Sequence, residues 1–502
     1  MGLTRPAMQR RKARGSIQVP HNKWTADAAI AKMGAPKKVI IPMNQHIGAR
    51  CEPTVQKGDI VKVGQVIGDT PAYVSAPIHA SVSGIVTRVG ASPHPGGSPD
   101  TAVEIESDGL STPHESVRPH AFDGKEEFLS LVRASGLVGL GGAGFPTHVK
   151  LNPPQGAAVD TLIINGAECE PYITSDYRAM VENARSIVAG ACAVMRALGI
   201  PKAFIGIEDN KPDAIRLMKE SAEGMADRGI EVVTLKSTYP QGAEKMLIHS
   251  CTGRRVPPGK LPADIGAVVM NVCSAAMVDE YLRTGMPLIK KLVTVSGDAV
   301  MKPMNLEVPI GTALSDVFAF CGGFRSAPEK VIMGGPMMGI AQHTLGVPVV
   351  KHTNALLAFS GKGARAASET GCIRCGRCVD NCPMSLMPLY LDAAAAKGDT
   401  ARLGAYHVKD CIECGACVYT CPAKRRIVQS VRLGKELLRR EAAATKEAGA
   451  ARSAAKEAEA ARGAKNEAEA ARSTKNEAGA ARSATKEAGA AQAGTRPING
   501  GM

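Results

Sequence analysis

CIRCGRCVDNCP at residues 372–383 and CIECGACVYTCP at 411–422 are one pattern written twice. Each run spaces its cysteines as C-x2-C-x2-C-x3-C and closes on a proline, Pro383 or Pro422. Thiolate sulfur is the ligand that iron–sulfur clusters require, and this spacing holds a [4Fe–4S] cube in bacterial two-cluster ferredoxins. Three nearby thiolates grip three corners, and the fourth comes from the other run. The expected sets are Cys372, Cys375, Cys378 with Cys421, and Cys411, Cys414, Cys417 with Cys382. Proline lacks an N–H and fixes φ, so it ends each loop. Zinc and disulfides are the competing readings. Structural zinc takes its ligands as two pairs, often with histidine; each run here has four cysteines and no histidine. Disulfide frameworks suit small secreted chains, and no apolar signal segment follows the basic start of this one. The consequence is single-electron chemistry.

Working outward, 502 residues leave room for three or four domains. No stretch approaches the roughly 18 apolar residues of a membrane span. Aromatic residues are 3 % of the chain, too few for base-stacking platforms, and no recognition motif accompanies the charge, so nucleic acid is not expected. The net charge of +14 is uneven: residues 1–50 hold ten Lys/Arg against one acid, and 422–440 seven against one. Arg5, Arg10, Arg11, Lys12 and Arg14 crowd the start. Such charge is either a solvated surface or an attraction for anionic lipid headgroups or an acidic partner. Cys51, Cys169, Cys192, Cys251, Cys273 and Cys321 are scattered and read as structural thiols outside any disulfide.

Residues 1–36 read as a basic, loosely ordered lead. From Lys38, short β runs punctuated by Gly64, Gly68 and Gly84 predict a small all-β unit. VQKGDIVKVGQVIG and SAPIHASVSGIV resemble the lipoyl/biotinyl barrel-sandwich family, but no lysine lies between Lys62 and Arg88 to carry a prosthetic group. Phe128, Leu131 and Val132 mark one face of a helix over 125–135. TLIING, AFIGIED and IEVVTLK then alternate with helices over 177–198 and 211–226, which predicts an α/β layer with a mostly parallel sheet. Residues 290–335 read as a further α+β unit. The tail, 441–490, repeats about every ten residues. Alanine favours helix, but Gly449, Gly463, Gly479 and Gly489 weaken it, and nothing large and apolar is there to bury. A partly helical or disordered spacer is expected.

Two loops carry further chemistry. Gly139, Gly141, Gly142 and Gly144 fall within six residues and satisfy G-x-G-x-x-G. A helical segment precedes them, so the ordinary dinucleotide fingerprint fails its context. Such a loop still lets a phosphate or flat ring approach the backbone; the alternative is a flexible turn. INGAECEPYITSDYR sets Asn165, Glu168 and Glu170 just after a strand, the end of an α/β sheet where ligands bind. They could hold ribose hydroxyls or a flavin edge, or be exposed loop acids.

SGLVGLGGAGFPTHVKL, INGAECEP, TYPQGAEKMLI, NVCSAAM and VSGDAVMKPMNLEVPIG together resemble the NADH-dehydrogenase flavoprotein subunit of respiratory complex I. The N-terminal barrel-sandwich is extra, and two cysteine runs replace that family's single-cluster domain. With IPMNQHIGA, IGIEDNKP, VIMGGPMMG and DCIECGACVYTCP, the chain over about 38–435 resembles the family of C subunits of Rnf (Rsx) ion-translocating oxidoreductases. The implied layout is a multidomain α/β chain: basic lead 1–36, barrel-sandwich hybrid 37–120, Rossmann-like FMN/NADH-type domain 121–288, β-grasp unit 289–345, two-cluster ferredoxin-like domain 360–435 and low-complexity tail 436–502.

The resemblance implies FMN, two [4Fe–4S] clusters and NAD(H) as substrate. It carries binding roles to Gly139, Gly141, Gly142, Gly144, Lys150, Asn165, Glu168, Glu170, Gly242, Glu244 and Asn271, and a catalytic role to no residue. Leu140, Ala167 and Ala243 depart from the complex I pattern, in place of an arginine, an aspartate and a glutamate. It further implies a peripheral subunit on the cytoplasmic face of a bacterial inner membrane. There it would work as a translocase oxidoreductase among the other Rnf subunits, with ferredoxin or flavodoxin as redox partner. The alternatives are an electron wire without flavin, or a stand-alone NADH dehydrogenase.

Overall fold

The strand Thr161–Gly166 is buried along nearly its whole length, as a strand covered on both faces must be. Lys202–Glu208 and Ala267–Asn271 pair with it in parallel, and Ile230–Leu235 pairs with Lys202–Glu208, giving the order 230–235, 202–208, 161–166, 267–271. A computed structural model describes residues 15–154, 156–225, 229–491 and 500. The predicted helix over 177–198 is two helices, Ser175–Glu182 and Ala184–Leu198, broken where Asn183 leaves helical geometry. Ala184–Leu198 packs closely on Val272–Thr284 because Gly190 has no side chain: a Cβ there would stand 1.8 Å from the Ala275 carbonyl. Ile187, Val188, Ala191 and Val194 fill this interface with Leu162 and Ile164 from the sheet.

The all-β unit is two antiparallel sheets. One has the order 38–42, 100–107, 84–92, 60–61; the other is 52–53, 66–69, 78–79. Val39, Ile41, Ile67, Ile78, Val103 and Ile105 close its core. Lys351, 1 % exposed, ties this unit to the α/β layer by donating to the carbonyls of Pro77 at 2.6 Å and Gly136 at 2.7 Å.

The β-grasp region holds a six-stranded sheet in the order 30–32, 304–309, 290–296, 355–359, 330–333, 340–342. Two of its strands lie outside what the sequence pattern marks. Ala355–Phe359 is fully buried in mid-sheet, so the sheet runs beyond residue 345. Ile30–Lys32 comes from the lead and pairs in parallel with Asn305–Glu307.

The loosely ordered lead is therefore corrected for residues 15–36. Ile17 exchanges main-chain hydrogen bonds with Tyr239 at 2.8 and 2.9 Å. The ammonium of Lys23 donates to the carbonyls of Glu168, Glu170 and Ile173 at 2.6–2.9 Å. Arg5, Arg10, Arg11, Lys12 and Arg14 lie outside the described residues.

The cysteine runs occupy loops before short helices, Arg377–Asp380 and Ala416–Tyr419. Their backbones repeat as their sequences do. Arg374 and Glu413 both take positive φ, as do Gly376 with Gly415 and Ser385 with Lys424. The tail is helical: the helix Ile427–Ala491 continues through Gly449, Gly463 and Gly479. Alanine-rich turns outweigh the roughly 1 kcal/mol that each glycine costs. Among the described residues no helix is long and apolar enough to cross a membrane.

Candidate redox site

The C-terminal ends of Thr161–Gly166 and Ala267–Asn271 set Asn165 beside Asn271 in register. Asn165 donates its amide to the Gly242 carbonyl at 2.9 Å and accepts from the Ala167 N–H at 3.1 Å, so it fixes the turn that leads into the helix Glu244–Thr252. Glu244, in the first turn of that helix, pairs with Lys150, which follows the glycine loop. Asn271 caps the helix Val272–Thr284, accepting from the Cys273 N–H at 2.8 Å. Its amide donates to Asp176 at 2.7 Å. The glycine loop lies over this amide: a Cβ on Gly141 would come within 2.4 Å of it, whereas one on Gly142 would meet nothing within 4 Å. Residues 141–143 are exposed. The result is a strip of bare backbone, backed by Asn271 and flanked by Asn165, Gly242 and the Lys150–Glu244 pair. A flat ring or phosphate fits such a cradle.

Glu168 and Glu170 point elsewhere. The Glu168 carboxylate accepts from the N–H groups of Asp176 at 2.8 Å and Tyr177 at 3.2 Å, capping the helix Ser175–Glu182. Glu170 accepts from the N–H groups of Met337 at 3.1 Å and Met338 at 2.9 Å. Burial pushes its carboxyl up to about 7 against the pull of these donors. Asp176, in the stretch quoted for the acidic loop, contacts the site through Asn271, and sequence reasoning missed it. Nothing in the sequence separates Lys23 from the other basic residues of the lead.

The eight paired-run cysteines line two small cavities. Cys372, Cys375, Cys378 and Cys421 line one; Cys382, Cys411, Cys414 and Cys417 line the other. In each, one thiol is supplied by the opposite run. Main-chain N–H groups of Leu386 and Glu413 point at the sulfurs of Cys382 and Cys411 at 3.3 and 3.4 Å. Burial raises the thiols of Cys378, Cys382 and Cys414, the last to about 12. A thiolate in such a place needs a metal cation beside it. Among the described residues no three ligand groups converge on a single ion. Four thiols around a cube each face a different iron, so a cluster needs no such convergence. The six scattered cysteines form no disulfide. A cleft bordered by Asp69, Tyr73, Arg133 and His148 contains none of the expected site residues.

Known families match successive stretches of the chain. The chain matches an RnfC barrel sandwich hybrid domain over 11–110, a Nuo51 FMN-binding domain over 132–280, an SLBB domain over 292–341 and a 4Fe-4S dicluster domain over 366–422. It is 49 % identical over 415 residues to the C subunit of the proton-translocating ferredoxin:NAD(+) oxidoreductase complex of Clostridium ljungdahlii, covering 82 % of this chain and 90 % of that one. The C subunit of the Na(+)-translocating complex of Acetobacterium woodii is 46 % identical over 427 residues, covering 84 % and 96 %. The C subunit of the ion-translocating oxidoreductase complex of Rhodobacter capsulatus is 42 % identical over 384 residues, covering 76 % and 74 %.

The chain belongs to the RnfC family of ion-translocating oxidoreductase subunits. Within this family frame it is an electron-transfer subunit related to the complex I flavoprotein. The three departures from the complex I pattern fall around the cradle. Leu140 is buried under the glycine loop, and its N–H donates to Ser274 at 3.1 Å. The Ala167 carbonyl abuts Gly242. Ala243 takes the N-cap position before Glu244 and offers no side-chain cap.

Proposed function

We propose that this RnfC-family protein passes electrons between NAD(H) and two [4Fe–4S] clusters through FMN, at the cytoplasmic face of a bacterial membrane. A bound flavin supplies the exchange between paired and single electrons. In this chain the bare backbone at Gly141 and Gly142, with Gly139 and Gly144 shaping the loop, would receive the flavin and its phosphate. Asn165, Gly242 and Asn271 hold the floor, and Lys150 with Glu244 the rim. Glu168 and Glu170 order the acidic loop from behind. Cys372, Cys375, Cys378 and Cys421 would hold one cluster, and Cys382, Cys411, Cys414 and Cys417 the other. The other subunits would move the ion, and ferredoxin or flavodoxin would be the far redox partner, reached through them.

The observation that carries this reading is the open strip at Gly142, at the end of a parallel sheet and in the same chain as two four-thiol cavities. The rival with an observation behind it is an electron wire without flavin, since Ala243 withdraws a carboxylate from the rim. Iron, sulfide and FMN per polypeptide, with an NADH titration, separate the two. About eight irons with one FMN and bleaching by NADH is the expected result. Full clusters with neither bound flavin nor NADH response after FMN is added would establish the wire.

A further inference from the structure

The two thiol cavities do not stand alike toward the cradle. Cys372 and Cys375 are exposed, and Ile373 between them is 68 % exposed. Cys414, in the other set, is 8 % exposed and packs in one apolar cluster with Ile17, Val19, Tyr239 and Ala416. The Tyr239 hydroxyl donates to the Cys414 carbonyl at 2.5 Å. Two further contacts press on the same set. Gly15 lies so close to Cys382 that a Cβ would stand 2.4 Å from its carbonyl, and Gly415 abuts the Met337 carbonyl. Met337 in turn donates its N–H to Glu170. At the other end, Tyr239 is three residues before Gly242, whose carbonyl takes the Asn165 amide at the cradle. Ile17 clamps Tyr239 from the lead by two main-chain hydrogen bonds.

Resting on the flavin reading above, we propose that Tyr239 is the positioning residue that joins the cradle to the cluster of Cys382, Cys411, Cys414 and Cys417. That cluster then exchanges electrons with the flavin first, and the cluster of Cys372, Cys375, Cys378 and Cys421 is the outward one. The balance is simple. NADH gives up a hydride, two electrons with one proton; each cluster takes one electron, and the proton passes to water. The Tyr239 hydroxyl sets a donor dipole on the Cys414 carbonyl, in the loop that carries the thiols of Cys411, Cys414 and Cys417. Such dipoles favour the reduced, more negative cluster.

The test uses the full-length chain loaded with both clusters and FMN. Dithionite titration followed by EPR gives a midpoint for each cluster, and Cys421→Ser identifies the outward signal by its loss. In Tyr239→Phe, iron and FMN contents stay at wild-type level. The inner midpoint moves to lower potential, the outward one does not move, and cluster bleaching by NADH slows while flavin bleaching keeps its rate. A shift in the outward cluster, or none in either, overturns the proposal. If the wild-type chain binds no FMN, the flavin reading fails by itself, and the dithionite midpoints still decide whether Tyr239 acts on the inner cluster. If Cys421→Ser does not fold, the stronger EPR perturbation on Cys414→Ser than on Cys375→Ser identifies the inner signal in its place.

Discussion

Glu170 sits in a stretch, GAECEP, that looks solvent-facing, yet its carboxylate is held by the Met337 and Met338 N–H groups. A Cβ on Gly335 would stand 2.3 Å from that carboxylate, so the side chain fits only against bare backbone. Burial raises its pKa from 4.5 to about 7. The sign follows from proton binding. Between these values the folded chain holds a proton that the unfolded chain has lost, so stability falls as pH rises through the window. Relative to Glu170→Gln, wild-type stability should fall by on the order of 3 kcal/mol between pH 4.5 and 7.5. Urea unfolding of both proteins across that range measures it, and parallel pH curves would rule it out. Glu168 and Glu170 do follow the strand Thr161–Gly166, as the sequence reads. The sequence could not reveal which way they turn, because their partners are main-chain N–H groups at 176–177 and 337–338. Donors of that kind are present at almost every residue and leave no mark in the sequence.

At the scale of elements, the glycine loop separates two jobs that G-x-G-x-x-G merges. Gly141 serves packing, because any side chain there strikes Asn271. Gly142 faces open space. Gly142→Ala should therefore keep the wild-type melting temperature within about 1 °C, under the roughly 2–4 °C that a 1 kcal/mol loss shifts a domain of this size, yet retain little FMN after gel filtration. Gly141→Ala should lower the melting temperature as well, because Asn271 must give up its helix cap, about 1 kcal/mol. Equal FMN retention in Gly142→Ala and wild type would remove that residue from the cradle. The elements themselves were legible wherever an apolar period persisted, as in 161–166, 202–208 and 230–235. Ile30–Lys32 was not, since three residues show no period. Ala355–Phe359 was not, since a short apolar run does not declare its partners. The tail is helical throughout Ile427–Ala491 because its long run of alanine outweighs scattered glycines.

Across the whole molecule, the described part of the lead belongs to the fold and not to a loose basic arm. Ile17 pairs with Tyr239, Lys23 satisfies three carbonyls of the acidic loop, and Ile30–Lys32 supplies an edge to the six-stranded sheet. Lys23 is half-buried to this end, and desolvation of its ammonium lowers its pKa. Its charge is thus spent inside the molecule and unavailable to lipid. The tail differs: its side chains are exposed from 441 to 485, and residues Leu433–Met502 form a unit of their own. Opposite outcomes follow for the two truncations. A chain ending at Arg440 should keep full iron and FMN content and the wild-type rate of NADH-dependent cluster bleaching. A chain beginning at Lys37 leaves the carbonyls of Glu170 and Ile173 without the Lys23 donor, each at a cost of about 1–3 kcal/mol, while Glu168 keeps its contact with Lys211. It should melt lower, and in the molecules that stay folded NADH should bleach the flavin faster than it bleaches the clusters. Calorimetry with stopped-flow absorbance reads both effects. If the N-terminal truncation matches the full chain in melting and in cluster bleaching, residues 15–36 are dispensable to the electron path, and the clamp on Tyr239 must come from elsewhere.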